Sequence, residues 1–363
     1  MEIVTFQKDF IREEPCEDGH FRRIIRAGRP YLVYHTEAVL AQMNLQDLGA
    51  EVEELAARRR GTKGRSCLLV WPGSLGDTAV LCDVLAQSPL CRPDVFLGIA
   101  TDYQSKLLFQ TVPGINAFFP YPVEWEQAQP FERMADFDGI MESAAAREVD
   151  IHDLFAGALG LTYSWVGWRF PIRPYRAWAR QAWPPSRKKR VALHLRASVI
   201  SRQYHLGRAA LVAYGLAQAG CEVFLLGGWD DFAGFAAEKG AEPTLPAEAL
   251  HPDLHSLTGR LTNPLHLLGF LSTCDLFIGP DSGPLHLAAY EGVPGLALFG
   301  QSDERLRLKY YPGLTALRDP DVACGPCYHV GAQMPCEHEL CPALNNINPR
   351  YVVERARELL HGR

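Results

Sequence analysis

The sequence predicts an α/β protein with two similar units in tandem, and three observations carry that prediction. Short apolar runs of strand length alternate with segments of helical spacing from Ser66 onward, and the alternation restarts at Arg190. A chain of 363 residues also exceeds the usual size of a single core. Strands that alternate with helices form right-handed βαβ units, so we expect two parallel sheets whose carboxyl ends face a central cleft.

The composition is that of a globular protein, with 47% apolar and 21% charged residues. No apolar run has the length of a signal-peptide core or a membrane span, which predicts a cytoplasmic protein. The net charge of −6 argues against a nucleic-acid partner. In a reducing compartment, the ten cysteines are better explained as thiols or metal ligands than as disulfides.

Residues 1–64 are predicted to form an N-terminal extension, because they lack a regular alternation of strands and helices. The last part of the extension, EVEELAARRRGTKGR, has the pattern of an amphipathic helix that runs into a basic connector. We therefore predict a helix in that stretch.

The first unit begins with a strand, SCLLVWP, a turn, GSLGD, and the helical pattern TAVLCDVLAQ, and later strands are predicted at DVFLGIA and FDGIMESA. Between Trp165 and Arg190 the chain has eight basic residues, no acidic residue, four tryptophans and four prolines. This segment is predicted to connect the two units. Either its aromatic rings pack between domains or it meets a membrane surface, and the proline spacing favours packing.

The second unit has strands predicted at RVALHLRAS, CEVFLLGG, DLFIGP and PGLALFG, and the chain ends with a helical pattern, PRYVVERARELLHG. The strand DLFIGP passes through Asp-Ser-Gly-Pro directly into a helix. A first helical turn of small residues exposes backbone N–H groups, and the helix dipole adds partial positive charge. The junction therefore suits an anion.

An ordinary capped turn would also explain Asp281 and Ser282. The combination favours the anion site, because Gly283 keeps the approach open and His286 lies in the first helical turn, where it can hydrogen-bond a bound oxygen. The amide of Leu285 is a further candidate donor.

Two arginines follow the first strand of the second unit. Arg196 comes directly after the apolar run, and Arg202 follows within a short loop. Two guanidinium groups at the carboxyl end of a strand can neutralise a diphosphate without a metal. The alternative for each arginine is a solvated position on the surface, and this alternative is stronger for Arg202 than for Arg196.

The segment LTGRLTNPLHLLGFLSTCDLFIGPDSGPLHLAAYEGVPGLALFGQSDE closely resembles the nucleotide-sugar half of glycosyltransferase family 9, the ADP-heptose heptosyltransferases. LLVWPGSLGD resembles the opening strand and Gly-Asp turn of the same family. The resemblance implies a GT-B fold with two Rossmann-like domains. It assigns residues 65–185 to the acceptor side, 186–348 to the nucleotide-sugar side with a Cys-rich loop at 324–341, and 349–363 to a C-terminal helix.

The resemblance also implies an inverting transfer that needs no divalent metal, so two Asp-x-Asp patterns, at 136/138 and 319/321, are interpreted as chance. Asp77 matches the family's Gly-Asp turn and is the candidate base, with an N-cap as the alternative role. Thr258, Gly259 and Arg260 resemble the loop near the nucleobase. Asp230 or Asp231 follows a strand where carboxylates reach ribose hydroxyls in such folds.

Four cysteines in one loop form a C-x2-C-x8-C-x4-C pattern: Cys324, Cys327, Cys336 and Cys341. Four thiolates at short spacing could hold a structural zinc or iron ion, and four reduced thiols are the equal alternative. The loop also resembles the iron-binding four-cysteine finger of the autotransporter heptosyltransferases. No catalytic role is expected for it.

The resemblance predicts ADP-heptose as donor and a lipopolysaccharide-core or related glycan as acceptor, with peripheral contact to the inner membrane left open. The alternatives are a protein O-heptosyltransferase that acts on autotransporter-type serines, an inactive nucleotide-sugar binding module, and a GT-B epimerase or hydrolase. The G-x-S-x-G, G-x-G-x-x-G and P-loop motifs are absent from the sequence, which disfavours hydrolase, dehydrogenase and P-loop functions. The oligomeric state is not predicted.

Overall fold

The computed structural model divides the chain into two compact units, Met1–Ser164 and Trp165–Arg363. It describes all residues except 17–18, 35–49, 138, 142, 195, 198, 228–250, 328–335, 337, 339 and 363. The basic, tryptophan-rich segment that begins at Trp165 belongs to the second unit. The domain boundary expected from the sequence, between residues 185 and 186, places this segment in the first unit.

The N-terminal part of the first unit is an antiparallel sheet with a separate hairpin. Its strands are β1 (Glu2–Phe6), β2 (Phe10–Cys16), β3 (Gly19–Ile25), β4 (Pro30–Val33) and β5 (Ala50–Glu54). β2 and β3 form the hairpin, and the sheet has the order β5-β1-β4-β9, where β9 is Val123–Glu124.

The predicted helix in EVEELAARRRGTKGR is wrong. β5 pairs along β1, with Val52 opposite Val4, and a single 3-10 turn follows at Ala57–Arg59. β5 is an edge strand whose residues 51–54 are exposed. Charged side chains are typical of edge strands, because they prevent pairing with other chains, and the same charges imitated a solvated helix face in the sequence.

The first unit also contains a parallel sheet with the order β10-β6-β7-β8. Its strands are β6 (Ser66–Val70), β7 (Phe96–Thr101), β8 (Ile115–Pro120) and β10 (Arg133–Ala135). The helices of this unit are α1 (Leu75–Ala86), α2 (Tyr103–Phe109), α3 (Trp125–Ala128) and α4 (Ile151–Ala158). The strands predicted at SCLLVWP and DVFLGIA are confirmed as β6 and β7.

The strand predicted at FDGIMESA is wrong, because β10 ends before it, at Ala135. Phe137 is 1% exposed and contacts Trp71 and Phe155 edge-on, with ring centroids 5.9 Å away from each. Phe137 is therefore buried by packing at the end of the sheet, not by pairing within it.

The second unit is a six-stranded parallel sheet flanked by helices. Its strands are β11 (Arg190–His194), β12 (Glu222–Leu226), β13 (Leu254–Ser256), β14 (Leu276–Pro280), β15 (Gly295–Leu298) and β16 (Leu314–Leu317). The helices are α5 (Arg173–Ala182), α6 (Leu206–Gln218), α7 (Pro264–Leu271), α8 (Gly283–Tyr290), α9 (Pro342–Asn345) and α10 (Pro349–His361). The order β13-β12-β11-β14-β15-β16 is that of a Rossmann sheet.

The four strands and the C-terminal helix predicted for this unit are confirmed as β11, β12, β14, β15 and α10. One face of the sheet packs against α6 and α10, where Leu216 and Val352 are fully buried beside Val191. Each such side chain contributes about 1.5–3 kcal/mol of apolar burial. No helix among the described residues is long and apolar enough to cross a membrane.

The basic, tryptophan-rich segment packs its aromatic rings on the second unit, to which it belongs. Trp168 contacts Tyr290 edge-on at 5.7 Å, and Trp183 contacts Phe270 at 4.8 Å between ring centroids. Arg176 of α5 donates two hydrogen bonds of 2.9 Å to the Glu291 carboxylate, whose side chain is 1% exposed. A bidentate contact of this kind fixes the segment on the end of α8.

Candidate functional site

The candidate site lies where the strand order of the second sheet reverses. β11 and β14 are neighbours in the sheet, and the next elements in the chain lie on opposite sides of this pair. In open parallel sheets, ligands bind outside the carboxyl ends of the strands at such a point. Arg196 follows β11 and the Asp281–Ser282 junction follows β14, so both predicted anion-binding elements lie at this point.

Ser282 is the N-cap residue of α8, but its hydroxyl does not cap the helix. The hydroxyl donates either to the Pro280 carbonyl or to Nδ1 of His194, each of which lies 3.1 Å away. Burial lowers the pKa of His194 to about 4, so the imidazole is neutral at pH 7 and Nδ1 can accept this bond. The side chain of Ser282 therefore points toward β11 and does not accept from the backbone amides of the first turn of α8.

The first turn of α8 presents backbone amides that have no acceptor within the described protein. The amides of Ser282 and Gly283 donate to no described residue, whereas the Leu285 amide donates to the Ser282 carbonyl at 3.0 Å. Pro284 has no N–H. The donors available to an anion thus include Ser282 and Gly283, and the Leu285 amide already has a partner.

Gly279 is needed below this turn, not at the approach to it. A Cβ at this position would lie 3.0 Å from the Cβ of His194 and 3.0 Å from the ring of Phe277. At the other end of α8, Gly292 has φ +71° and ends the helix in the left-handed conformation.

Asp281 is 3% exposed and lies beside two arginines and His286. Its Oδ2 is 3.5 Å from an Arg202 nitrogen, and its Oδ1 is 4.0 Å from Nε2 of His286. Burial alone would raise the pKa of Asp281, but Arg307, Arg202 and His286 lower it below its ordinary value. The carboxylate is therefore ionised, and it holds positive groups beside the anion-binding turn.

The Arg202 side chain contacts Asp281 at the junction and is 20% exposed, so Arg202 is not a solvated surface residue. It ends the 3-10 turn Ile200–Arg202, and its guanidinium also donates to the backbone carbonyl of Asp281 at 3.4 Å. Arg196 is half-buried in the loop directly after β11. Both residues thus lie near the carboxyl end of β11, and the contacts with Asp281 hold the Arg202 guanidinium there.

His286 is 3% exposed and is held from the side opposite Asp281. Its Nδ1 lies 3.0 Å from the hydroxyl of Tyr311, and the two rings meet edge-on with centroids 5.6 Å apart. Tyr311 is itself 2% exposed.

The predicted nucleoside residues lie at the same edge of the sheet. Gly259 has φ +70° and donates its amide to the Gly227 carbonyl at 2.9 Å, which places the 258–260 turn beyond β12. The Thr258 hydroxyl lies 2.9 Å from that of Ser256, and Arg260 is exposed. Asp230 and Asp231 lie outside the described residues.

Asp77 lies in the first turn of α1, but it is not the N-cap. Ser74 is the N-cap, and its hydroxyl both accepts from the Asp77 amide at 3.5 Å and donates to Asp77 Oδ2 at 2.9 Å. α1 follows β6, and β6 lies beside β10 at the point where the first sheet reverses its order. The N-cap alternative for Asp77 is therefore wrong, because a serine occupies that position. Among the described residues, only one oxygen of the Asp77 carboxylate accepts a hydrogen bond.

The four cysteines of the predicted cluster influence one another electrostatically. Burial raises the pKa of Cys327, and the neighbouring Cys341, Cys324 and Cys336 raise it further. Within the described parts of the chain, however, no three His, Cys, Asp or Glu side chains come together as a metal-binding set. Cys341 packs under the chain at Gly300, where an added Cβ would lie 2.8 Å from its Sγ.

The Asp-x-Asp patterns have ordinary partners where they are described. Asp136 accepts from Arg60 at 2.8 Å, and Asp319 accepts from the amide of Asp321 at 3.1 Å. Asp138 lies outside the described residues.

Three residues at the site were not predicted from the sequence: His194, Arg307 and Tyr311. His194 carries a usable signal, because it is a polar residue inside an apolar strand just before Arg196. Arg307 is 8% exposed, yet the stretch around it has no helical or strand periodicity that would indicate burial.

Comparison with protein families places the site in a known context. Residues 147–338, more than half of the chain, match the family model of glycosyltransferase family 9 (heptosyltransferase). Lipooligosaccharide heptosyltransferase 2 of Campylobacter jejuni subsp. jejuni serotype O:2 is 34% identical over 90 residues, which are 25% of this chain and 27% of that protein. The chain therefore matches only about a quarter of the length of its curated relatives.

Solved structures of similar fold cover most of the chain. The glycosyl transferase family 9 protein from Veillonella parvula has a TM-score of 0.61 at 15% identity, over 84% of this chain and 100% of that chain. The dodecameric iron-containing heptosyltransferase TibC of enterotoxigenic E. coli, solved with ADP-D-beta-D-heptose, has a TM-score of 0.58 at 13% identity, over 99% of this chain and 93% of that chain. At these identities the likeness establishes the fold, which is of the GT-B type as predicted.

Proposed function

The chain belongs to glycosyltransferase family 9, and we propose that it is an inverting, metal-independent heptosyltransferase that uses ADP-heptose as the sugar donor. The observation that carries the proposal is the junction at Ser282. Among the described residues, two amides of this junction have no acceptor, and Arg202 and the buried His286 lie beside them at the reversal point of a Rossmann sheet. Arg196 follows β11 at the same point. Such a set of donors recognises a diphosphate.

The leaving side of the reaction requires stabilisation of negative charge. As the bond between the anomeric carbon and the diphosphate oxygen breaks, charge grows on ADP, and the amides of Ser282 and Gly283 with Arg196 and Arg202 would balance it. These fixed positive groups would supply what a divalent metal supplies in other transferases. Asp281 would keep Arg202 in place during the step.

The attacking side of the reaction requires a base. Asp77 would accept the proton of the acceptor hydroxyl as its oxygen bonds to the anomeric carbon, on the face opposite the leaving diphosphate. That geometry inverts the anomeric configuration. The hydrogen bond from Ser74 would orient the carboxylate and leave its other oxygen for the acceptor.

For the nucleoside, the turn Thr258–Arg260 would lie near the adenine, with Asp230 or Asp231 on the ribose hydroxyls. The position of this turn at the carboxyl end of β12 supports the assignment.

The proposed acceptor is a hydroxyl of a lipopolysaccharide-core or related glycan. The similarity to a lipooligosaccharide heptosyltransferase supports this choice. An acceptor of this kind is carried on a lipid, so the protein would act in the cytoplasm with peripheral contact to the inner membrane.

A protein hydroxyl is the second candidate acceptor, and the extent of one comparison favours it. The similarity to TibC covers 99% of this chain and so includes the N-terminal sheet, whereas the Veillonella parvula protein covers 84%. An N-terminal sheet shared with TibC would be consistent with a shared acceptor class. An assembly of many copies, as named for TibC, belongs to the same proposal.

For the 324–341 loop we propose two alternatives. The four cysteines hold a structural iron or zinc ion, or they are four reduced thiols. The similarity of fold to an iron-containing transferase supports the metal, and the described positions of the cysteines support the thiols. Elemental analysis of the purified protein decides between them. One equivalent of iron or zinc per chain supports the metal, and a fully folded, metal-free protein rejects it.

The test of the proposed function is nucleotide release from a panel of sugar donors. Purified protein is incubated with ADP-heptose, ADP-glucose and UDP-glucose, each alone, with lipopolysaccharide core, and with an autotransporter passenger protein. We expect ADP release only from ADP-heptose and only with an acceptor. Release that never depends on an acceptor would indicate hydrolase or epimerase chemistry, and ADP-heptose binding without any turnover would indicate a binding module.

A further inference from the structure

Tyr311 contacts the site histidine from a part of the chain with no recognised motif. Its hydroxyl lies 3.0 Å from Nδ1 of His286, and both side chains are almost fully buried. The residue lies in the loop before β16, where neither a helix nor a strand determines its orientation. Turn hydrogen bonds hold its backbone, which donates to the Leu308 carbonyl and accepts from the Leu314 amide, each at 3.0 Å. Packing must fix the ring.

That packing comes from the first residues of the second unit and from α8. The ring of Trp165 meets Tyr311 edge-on at 5.9 Å, and the ring of Tyr290 meets it edge-on at 5.6 Å. Aromatic pairs in this edge-on arrangement stabilise a cluster beyond the effect of their buried area. Tyr311 is therefore fixed on two sides, and its hydroxyl has a defined position relative to His286.

We propose that Tyr311 is a positioning residue for the sugar-nucleotide site, which holds His286 in one orientation and one hydrogen-bonding state. A neutral imidazole has one donor and one acceptor nitrogen, and the partner of one nitrogen determines the role of the other. The Tyr311 hydroxyl engages Nδ1, so Nε2 is the nitrogen on the side of Asp281, the residue directly before the anion-binding turn. The inference rests on the proposed function of His286 as an anion ligand.

The charges around His286 explain why its orientation matters. Asp281 lies 4.0 Å from Nε2, and Arg202 and Arg307 lie around the same carboxylate. If the ring were rotated, Nε2 would no longer face the position where we expect the diphosphate oxygen. A small rotation of one buried ring would therefore weaken both ADP binding and the transfer step.

The test removes one oxygen atom. In Tyr311→Phe the ring stays and the hydroxyl is lost, and Tyr290→Phe is the matched control, because Tyr290 belongs to the same aromatic cluster but its ring is not the one bonded to Nδ1. Nitrogen-15 NMR of imidazole-labelled full-length protein, with the His286 signals assigned by their loss in His286→Gln, reports the state of each ring nitrogen. ADP affinity is measured by calorimetry, and kcat and KM by ADP release.

We expect the native protein and Tyr290→Phe to show His286 in one state, and Tyr311→Phe to show a mixture. We also expect Tyr311→Phe to lose roughly tenfold in kcat/KM and in ADP affinity, which is the fold-change of one hydrogen bond. Unchanged His286 signals in Tyr311→Phe, or activity equal to that of Tyr290→Phe, would overturn the proposal. Because the NMR measurement needs no substrate, it separates failure of this inference from failure of the proposed function.

Discussion

The hydroxyl oxygen of Ser282 lies 3.1 Å from Nδ1 of His194, a residue 88 positions earlier in the chain. This contact joins the carboxyl ends of β14 and β11, the two strands at the reversal point of the second sheet. It also directs the serine side chain away from the amides that it would otherwise cap. The helix end can therefore offer those amides to an anion.

A double-mutant cycle between these two residues should show coupling. Ser282→Ala leaves Nδ1 of His194 without its partner, and His194→Phe removes the imidazole while keeping a buried ring. Urea unfolding at pH 7 of the two single variants and the double variant should give an interaction free energy of about 0.5–1.5 kcal/mol. Additive effects within about 0.3 kcal/mol would show that the contact contributes nothing to stability.

His194 should make the protein less stable in mild acid. Its pKa is about 4 in the folded protein and about 6.5 when exposed, so between these values the unfolded chain binds a proton that the folded chain does not. The free energy of unfolding should therefore fall as the pH drops from about 6.5 to 4, by at most about 3 kcal/mol.

The matched variants for this pH effect are His194→Asn and His361→Asn. His194→Asn should flatten the decline in unfolding free energy between pH 6.5 and 4, because no group at that position titrates. His361 is exposed at the end of α10, so its replacement should leave the decline intact. Equal pH slopes for both variants and the native protein would contradict the assignment of the effect to His194.

Asp77→Asn should separate the chemical role of this residue from its structural role. An amide can still accept from Ser74, so we expect the variant to melt at the native temperature and to lose at least about a hundredfold in transferase rate. Ser74→Ala is the complementary variant. It should lose about 1 kcal/mol of stability with the N-cap. Its transferase rate should fall less than that of Asp77→Asn, because the carboxylate is kept and only its orienting hydrogen bond is lost. Full activity in Asp77→Asn would reject the base.

Arg176→Met should destabilise the second unit more than any exposed substitution on the same helix. It leaves the Glu291 carboxylate, whose side chain is 1% exposed, without the guanidinium that donates to both of its oxygens. We expect a loss of about 2–3 kcal/mol in urea unfolding. Arg180→Met on the exposed face of α5 is the control, with an expected change below about 0.5 kcal/mol. Similar losses of unfolding free energy in the two variants would show that the Arg176–Glu291 pair contributes no more to stability than an exposed arginine.

The elements that could be predicted from the sequence are those whose signal is local. SCLLV and LFIGP are apolar along their whole length because both faces of a parallel strand are covered, so β6 and β14 were identified correctly. The strand Ala50–Glu54 was missed because it owes its conformation to β1, about fifty residues away, and its own residues favour a helix. Tertiary pairing outweighed local propensity there.

The candidate site follows the same rule. The junction after β14 could be identified because its small residues and its cap are consecutive in the chain. The partners that orient it could not, because His194 and Tyr311 reach Ser282 and His286 across 88 and 25 positions. No periodicity or spacing records such contacts, since they depend on how strands and loops come together.

The short strand Val123–Glu124 completes the N-terminal antiparallel sheet, although it lies between β8 and β10 of the parallel sheet. Arg23 adds hydrogen bonds to the carbonyls of Pro120 and Pro122. The N-terminal strands are thus joined to the segment that follows β8 by strand pairing and by side-chain hydrogen bonds. A chimera that exchanged residues 1–64 with those of a relative would have to carry the 120–124 stretch along with them, or it would leave both partners with an unmatched edge.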